Sequence, residues 1–128
     1  MAIDILIVDD SSLTRKAIRR ILDMIGLDIG QTREAENGKE ALQILEQTPV
    51  DLVLADLNMP EMGGIEMIYR MRGNEATKDI PVVVVSTESS TTRIEGLLSD
   101  GAKDYLHKPF TPEELKAVIT RTLGSLKR

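Results

Sequence analysis

Three short stretches of this chain are apolar without interruption: Ile5-Leu6-Ile7-Val8, Leu52-Val53-Leu54-Ala55 and Val82-Val83-Val84-Val85. Successive residues of a strand point to opposite faces, so a strand with one wet face alternates apolar and polar side chains. Unbroken runs rich in Val and Ile instead mark strands covered on both faces, the condition inside parallel sheets. A shorter run, Tyr105-Leu106, reads as another strand, and a weaker one is expected near Gln31 to Ala35.

Helical patterns fill the gaps between these runs. Leu13, Ala17, Ile18, Ile21 and Leu22 share one helix face, with Gly26 as the stop. Asn37 and Glu40 have capping-box spacing ahead of Ala41, Leu42 and Leu45, and Pro49 closes that stretch. Ile65, Ile68 and Met71 predict a third helix closed by Gly73-Asn74. Ile94, Leu97 and Leu98 predict a short fourth one, marginal because it contains Gly96. The last is signalled most clearly, with Thr111 as N-cap, Pro112 in the first turn, Glu114 reaching back, and then Leu115, Val118, Ile119 and Leu123. The order βαβαβαβαβα implies an α/β fold, a five-stranded parallel sheet with right-handed crossovers and helices on both faces. A chain of 128 residues matches about one domain, commonly ~100–150 residues, and a single domain over 1–128 is expected.

Composition removes several chemistries. Without cysteine there is no thiol nucleophile, iron–sulfur cluster or zinc–cysteine site, and a single histidine excludes a multi-histidine metal centre. Two Tyr, one Phe and no Trp leave few rings on which bases or flavins could stack. A formal charge of −5 repels phosphate backbones, so no direct contact with nucleic acid is expected. No apolar run approaches the ~18 residues that cross a bilayer, and Met1 to Asp4 carries no basic start of a secretory leader. A cytoplasmic protein without membrane contact is the expectation.

The residues just after each strand carry the chemistry. Asp9 and Asp10 come after Val8, Asp56 after Ala55, Ser86 and Thr87 after Val85, and Lys108 after His107. Binding sites of open parallel sheets form outside the carboxyl ends of the strands. Three carboxylates, hydroxyls and one ammonium should therefore converge on one rim. Two like charges ~4 Å apart repel by about 4 kcal/mol at an effective dielectric near 20. Such a cluster must be protonated or neutralised. Lys108 can neutralise one carboxylate, and a divalent cation can neutralise more. All-oxygen donors suit Mg²⁺, with Mn²⁺ as a substitute, and Mg²⁺ commonly shares its site with phosphate. Carboxylates can act as nucleophiles that form aspartyl-phosphate. Asp56, facing both the acidic pair and Lys108, is the expected phosphoacceptor, with Ser86 donating to the bound phosphoryl.

The set Asp9-Asp10, Asp56, Ser86 and Lys108-Pro109, with Asp-Leu-Asn-Met-Pro from Asp56 to Pro60, resembles the receiver domain of two-component response regulators over essentially the whole chain. The branch it most resembles is that of the single-domain chemotaxis regulators. The sheet order 2-1-3-4-5 is known for that branch and is implied by the resemblance, not by the strand pattern. The resemblance further implies that Asp56 is the phosphoacceptor and that Mg²⁺ is held by Asp10, Asp56 and the backbone carbonyl of Asn58, with Asp9 in an outer, water-mediated role. Lys108 would bind the phosphoryl group across a cis bond to Pro109. Ser86, beside Thr87, would form a switch pair with Tyr105. Asn58 and Glu88 would tune hydrolysis of the acyl-phosphate, giving a short-lived phospho-form. The implied partners are a histidine kinase as donor and a target, in chemotaxis the flagellar motor switch, on the surface of the fourth helix, last strand and fifth helix. Ser86 in place of the commoner threonine, Gly63 in place of an acid, and His107 in place of a small apolar residue depart from the chemotaxis pattern.

Each residue also has a plainer reading. Asp9 and Asp10 could end a strand and cap a helix. Lys108 could be a solvated charge, Ser86 and Thr87 helix-entry residues, Tyr105 an edge-strand cover and His107 an ordinary surface residue. Arg15, Lys16, Arg19 and Arg20 pair at i,i+4, usually a solvated face, with docking of an acidic kinase module as the alternative. Rival functions are a phosphorelay intermediate, a magnesium-dependent aspartyl-phosphate phosphatase of the haloacid dehalogenase class, and a flavodoxin-like electron carrier. The phosphatase pattern wants a second acid two residues after the first, whereas here the acids are adjacent and Ser11 comes next. The electron carrier wants aromatic cover for its ring.

Overall fold

The computed structural model describes residues 2–126. The single-domain expectation also takes in Met1, Lys127 and Arg128, which lie outside the described residues. The elements are β1 (Ile3–Val8), α1 (Ser12–Met24), β2 (Ile29–Ala35), α2 (Gly38–Gln47), β3 (Leu52–Ala55), α3 (Gly64–Arg72), β4 (Val82–Ser86), α4 (Thr91–Ser99), β5 (Asp104–His107) and α5 (Pro112–Leu126). The strands form one sheet in the order β2-β1-β3-β4-β5, every neighbouring pair parallel.

The uninterrupted apolar runs are explained by two cores, one on each face of the sheet. Leu6, Val8, Val53, Ala55, Val82 and Val84 point to one face and pack with residues of α2, α3 and α4, including Leu45, Met67 and Leu97. Ile5, Ile7, Leu52, Leu54, Val83 and Val85 point to the other and meet α1 and α5 through Ile18, Leu22, Leu115, Val118 and Ile119. The period of two along each strand thus divides one continuous run between two cores.

The edge strands read more weakly because only one side of each is paired. Strand β2 begins at Ile29, two residues before the expected start, and its middle alternates between half-buried and exposed side chains. Three helix faces also differ from expectation, that of α4 because Leu98 is exposed and only Leu97 is buried. Leu13 is 77% exposed and lines an open groove whose far side includes Pro109 and Phe110, outside the core. In α3 it is Met67, with Ile68 and Met71, that faces inward, while Ile65 is exposed. The helix starts other than that of α3, whose N-cap is Gly63, are capped by side chains. Thr111 and Glu114 exchange reciprocal bonds of 3.1 and 2.8 Å. Asn37 accepts from the Glu40 N–H at 2.8 Å, while the Glu40 carboxylate takes the N–H of Glu36 in place of that of the cap.

Candidate functional site

Every strand that contributes to the rim ends at or next to its functional side chain, so the polar groups stand at the sheet's carboxyl edge. Val8 and Ala55 are paired in register, which sets Asp9 and Asp56 next to each other. The Asp56 N–H is held by the Val8 carbonyl at 2.9 Å, and the Asp9 N–H by Ala35 at 3.0 Å. Behind Asp56 the chain folds back tightly, with the Gly64 N–H on the Leu57 carbonyl at 2.9 Å. A Cβ at Gly64 would come within 2.5 Å of the Asp56 carbonyl oxygen, so only glycine lets α3 start this close to the acid.

The structure brings Asp9, Asp10 and Asp56 together, with one carboxylate oxygen from each lying within 4.8 Å of the others. Lys108 reaches in from the end of β5, its Nζ 3.0 Å from Asp9 Oδ2 and 3.6 Å from Asp56 Oδ2. Asp9 is 3% exposed and also accepts from the Ser11 N–H at 2.9 Å. Asp56 is half-buried, and the Leu57 N–H holds its Oδ1 at 2.8 Å, fixing the rotation of the carboxylate. Asp10 is exposed, and among the described residues its carboxylate has no partner. The Lys108–Pro109 peptide is cis.

Burial pushes the Asp56 carboxyl above the ordinary aspartate range. Lys108 and the Leu57 N–H pull it back, and the charges of Asp9 and Asp10 push it up again. One lysine thus leaves the three acids under-compensated. The donor set is hard oxygen only, open to solvent at Asp10, which fits a magnesium-sized cation and not a soft metal.

The remaining candidates lie along or just after β3, β4 and β5. Ser86 is buried, and its Oγ accepts from the Glu88 N–H at 3.2 Å. Thr87 and Asn58 are exposed, and Glu88 is half-buried. Tyr105 is turned inward against the core that contains Leu97, and its hydroxyl donates to the Ser86 carbonyl at 2.9 Å and to that of Glu88. Burial raises the Tyr105 pKa above that of an ordinary phenol, so the ring keeps its proton as a donor to these two carbonyls. His107, further along β5, is exposed.

The basic residues of α1 do not form a uniformly solvated face. Arg15 bonds the Asp9 carbonyl and Glu34, and Arg19 bonds the Thr32 carbonyl, while Lys16 and Arg20 remain exposed. Glu34, on edge strand β2 three residues before Asn37, is the acid that pairs with these arginines. Its only sequence signal is an acid on β2 facing arginines that the helix period places four apart.

A family model described as the response regulator receiver domain matches residues 5–120. A chemotaxis protein CheY homolog of Campylobacter jejuni is 37% identical over 122 residues, covering 94% of this chain and 92% of that protein. The crystallised chemotaxis regulator CheY4 of Vibrio cholerae superposes with a TM-score of 0.86 at 31% identity, over 96% of this chain and 100% of that one. The receiver domain of a Pseudomonas aeruginosa sensor histidine kinase, solved with magnesium coordinated in its active-site cleft, superposes with a TM-score of 0.84 at 25% identity, over 97% of this chain and 99% of that one.

Proposed function

The chain belongs to the response regulator receiver domain family, and on that premise we propose that it is a stand-alone switch that accepts a phosphoryl group on Asp56 from a histidine kinase and changes its protein contacts in response. The observation that carries this reading is the Asp9–Asp10–Asp56 cluster, closed within 4.8 Å and served by Lys108. Asp10, Asp56 and the Asn58 backbone carbonyl would hold magnesium, with Asp9 acting through water. When bound, the metal neutralises charge on the transferring phosphoryl group.

The rest falls to the chain's own residues. The Leu57 N–H keeps the Asp56 carboxylate oriented toward an incoming donor, which positions it for in-line attack. The phosphorus–nitrogen bond of a phosphohistidine breaks as the bond to an Asp56 carboxylate oxygen forms, and the leaving imidazole keeps the electron pair. Lys108 compensates the charge carried by the transferred phosphoryl group, about −1.5 to −2. Ser86 turns its hydroxyl to the new oxygens and gives up the Glu88 N–H it now accepts from. That frees the loop that Tyr105 clamps at the Ser86 and Glu88 carbonyls, and α4 moves with it. Asn58 and Glu88 flank the acyl-phosphate and orient water for its hydrolysis by the protein itself, so the phospho-form is short-lived.

The target surface is α4, β5 and α5. Its output is chemotaxis through the flagellar motor switch, supported by the CheY-named relatives. We place its action in the cytoplasm. Among the described residues no helix is long and apolar enough to cross a membrane. Incubation with acetyl phosphate should add one phosphoryl group at Asp56, located by peptide mass spectrometry, only when magnesium is present. A pull-down with and without beryllofluoride then reads the output. Retention of a motor switch protein supports chemotaxis, and retention of a histidine phosphotransfer protein supports the relay.

A further inference from the structure

Of the three clustered acids, Asp10 alone has a carboxylate that nothing among the described residues holds. Asp9 is tied to Lys108 and to the Ser11 N–H, and Asp56 to the Leu57 N–H and Lys108. The position of Asp10 is therefore set by its backbone. The peptide unit entering Asp10 begins at the Asp9 carbonyl, and because that unit is planar, fixing the carbonyl fixes the direction in which the chain reaches Asp10.

Arg15 supplies that constraint. From the first turns of α1 its guanidinium turns back over the loop, and Nη1 donates to the Asp9 carbonyl oxygen. Its Nε donates to Glu34 Oε1 at 2.8 Å, and the side chain is only 11% exposed. Glu34 belongs to β2 and stands opposite Ile7 of β1. The Asp9 backbone is thus braced from the same strand at both polar ends, directly by Ala35 at its N–H and through Glu34 and Arg15 at its carbonyl.

We infer that Arg15 and Glu34 form a positioning pair that, through the Asp9 carbonyl, holds Asp10 against Asp9 and Asp56 and so sets the affinity of the cluster for a divalent cation. The inference rests on the proposed cation-assisted reading of the site. The pair works by geometry, since the charge of Arg15 is offset by Glu34 beside it. A guanidinium presents donors in a fixed fork and can serve the carbonyl and the carboxylate together. An ammonium is a point donor and cannot reproduce that arrangement. Arg19 provides an internal control. It reaches Glu34 Oε2 at 3.4 Å and the Thr32 carbonyl at 3.0 Å, so it braces β2 without touching the loop.

The test is a magnesium titration of the full chain monitored by backbone amide NMR, which needs no phosphoryl donor and no activity. Outer partners of metal ligands commonly change metal affinity by about 10–100-fold. Arg15→Lys should weaken binding by about tenfold or more while amide shifts outside the loop stay native. Arg19→Lys should leave binding within about twofold of the parent. Glu34→Gln keeps an acceptor oxygen for Nε and should also stay close to the parent, which separates geometry from charge. Parent-like binding by Arg15→Lys, or equal weakening by Arg19→Lys, overturns the inference and leaves the receiver reading standing. A parent protein whose spectrum ignores magnesium overturns both.

Discussion

Helices α3 and α4 are each nine residues long and serve the same core on the same face of the sheet, yet they are held very differently. Helix α3 buries Gly64, Met67, Ile68 and Met71, whereas α4 buries Leu97 alone. Helix α3 is also tied down at its end, where Arg72 donates to the carbonyls of Gly101, Lys78 and Ile80. Helix α4 depends on a Ser90 side-chain cap at 3.3 Å and contains Gly96, around which a Cβ would meet nothing. The difference matches what the proposed switch asks of each helix. Helix α3 starts against the Asp56 carbonyl and must not move if the acid is to stay oriented. Helix α4 comes after the loop clamped by Tyr105, and a switch needs an element near balance.

The largest expected effect lies at the acid that α3 supports. Asp56→Asn should abolish phosphoryl incorporation from acetyl phosphate, read by intact mass, with the amide spectrum otherwise native. Next is the packing contrast itself. Met67→Ala should cost about 2–5 kcal/mol in urea melts, while Leu98→Ala on α4, an exposed position, should stay within about 0.5 kcal/mol. Equal losses would erase the distinction between the helices. Gly96→Ala should stabilise the protein by roughly 0.5–1 kcal/mol, because the new methyl group has space and the helix gains propensity. It should also blunt the response of α4 to a phosphoryl mimic.

The smallest effect is in the pH dependence. The folded pKa of Asp56 lies above its ordinary value, so the native state holds this proton longer than the unfolded chain does. The corresponding stability is fully present below the unfolded pKa, near 3.8, and is lost as pH rises through the raised folded value. In magnesium-free buffer Asp56→Asn should therefore match the parent at the acidic end and be the more stable near neutrality. Paired melting curves across pH check this, and a parent that is the more stable near neutrality would reverse the assigned sign.

Much of this was legible in the chain. The unbroken runs at Ile5, Leu52 and Val82 gave buried parallel strands because both faces are covered, and the polar residues after them gave the rim. Strand β2 extends beyond its sequence signal because an edge strand carries little periodicity, as Gln31 to Glu34 illustrates. Leu13 and Ile65 fit a helix period yet stand in solvent, since periodicity assigns a face without saying where the covering sheet ends. At the site, Asp9, Asp10, Asp56 and Lys108 could be gathered from strand ends alone. The Arg15–Glu34 brace could not, because it joins a helix to a neighbouring strand, a contact that exists only once β2 lies beside β1.

The central claim is that charge chemistry at Asp56 is read out by α4 while α3 stays fixed. Hydrogen exchange of the full chain, with and without magnesium and beryllofluoride, tests it directly. The account predicts altered protection over residues 87–99, unchanged protection over residues 64–72, and no response in Asp56→Asn. Equal changes in both helices, or a response that survives Asp56→Asn, would contradict it.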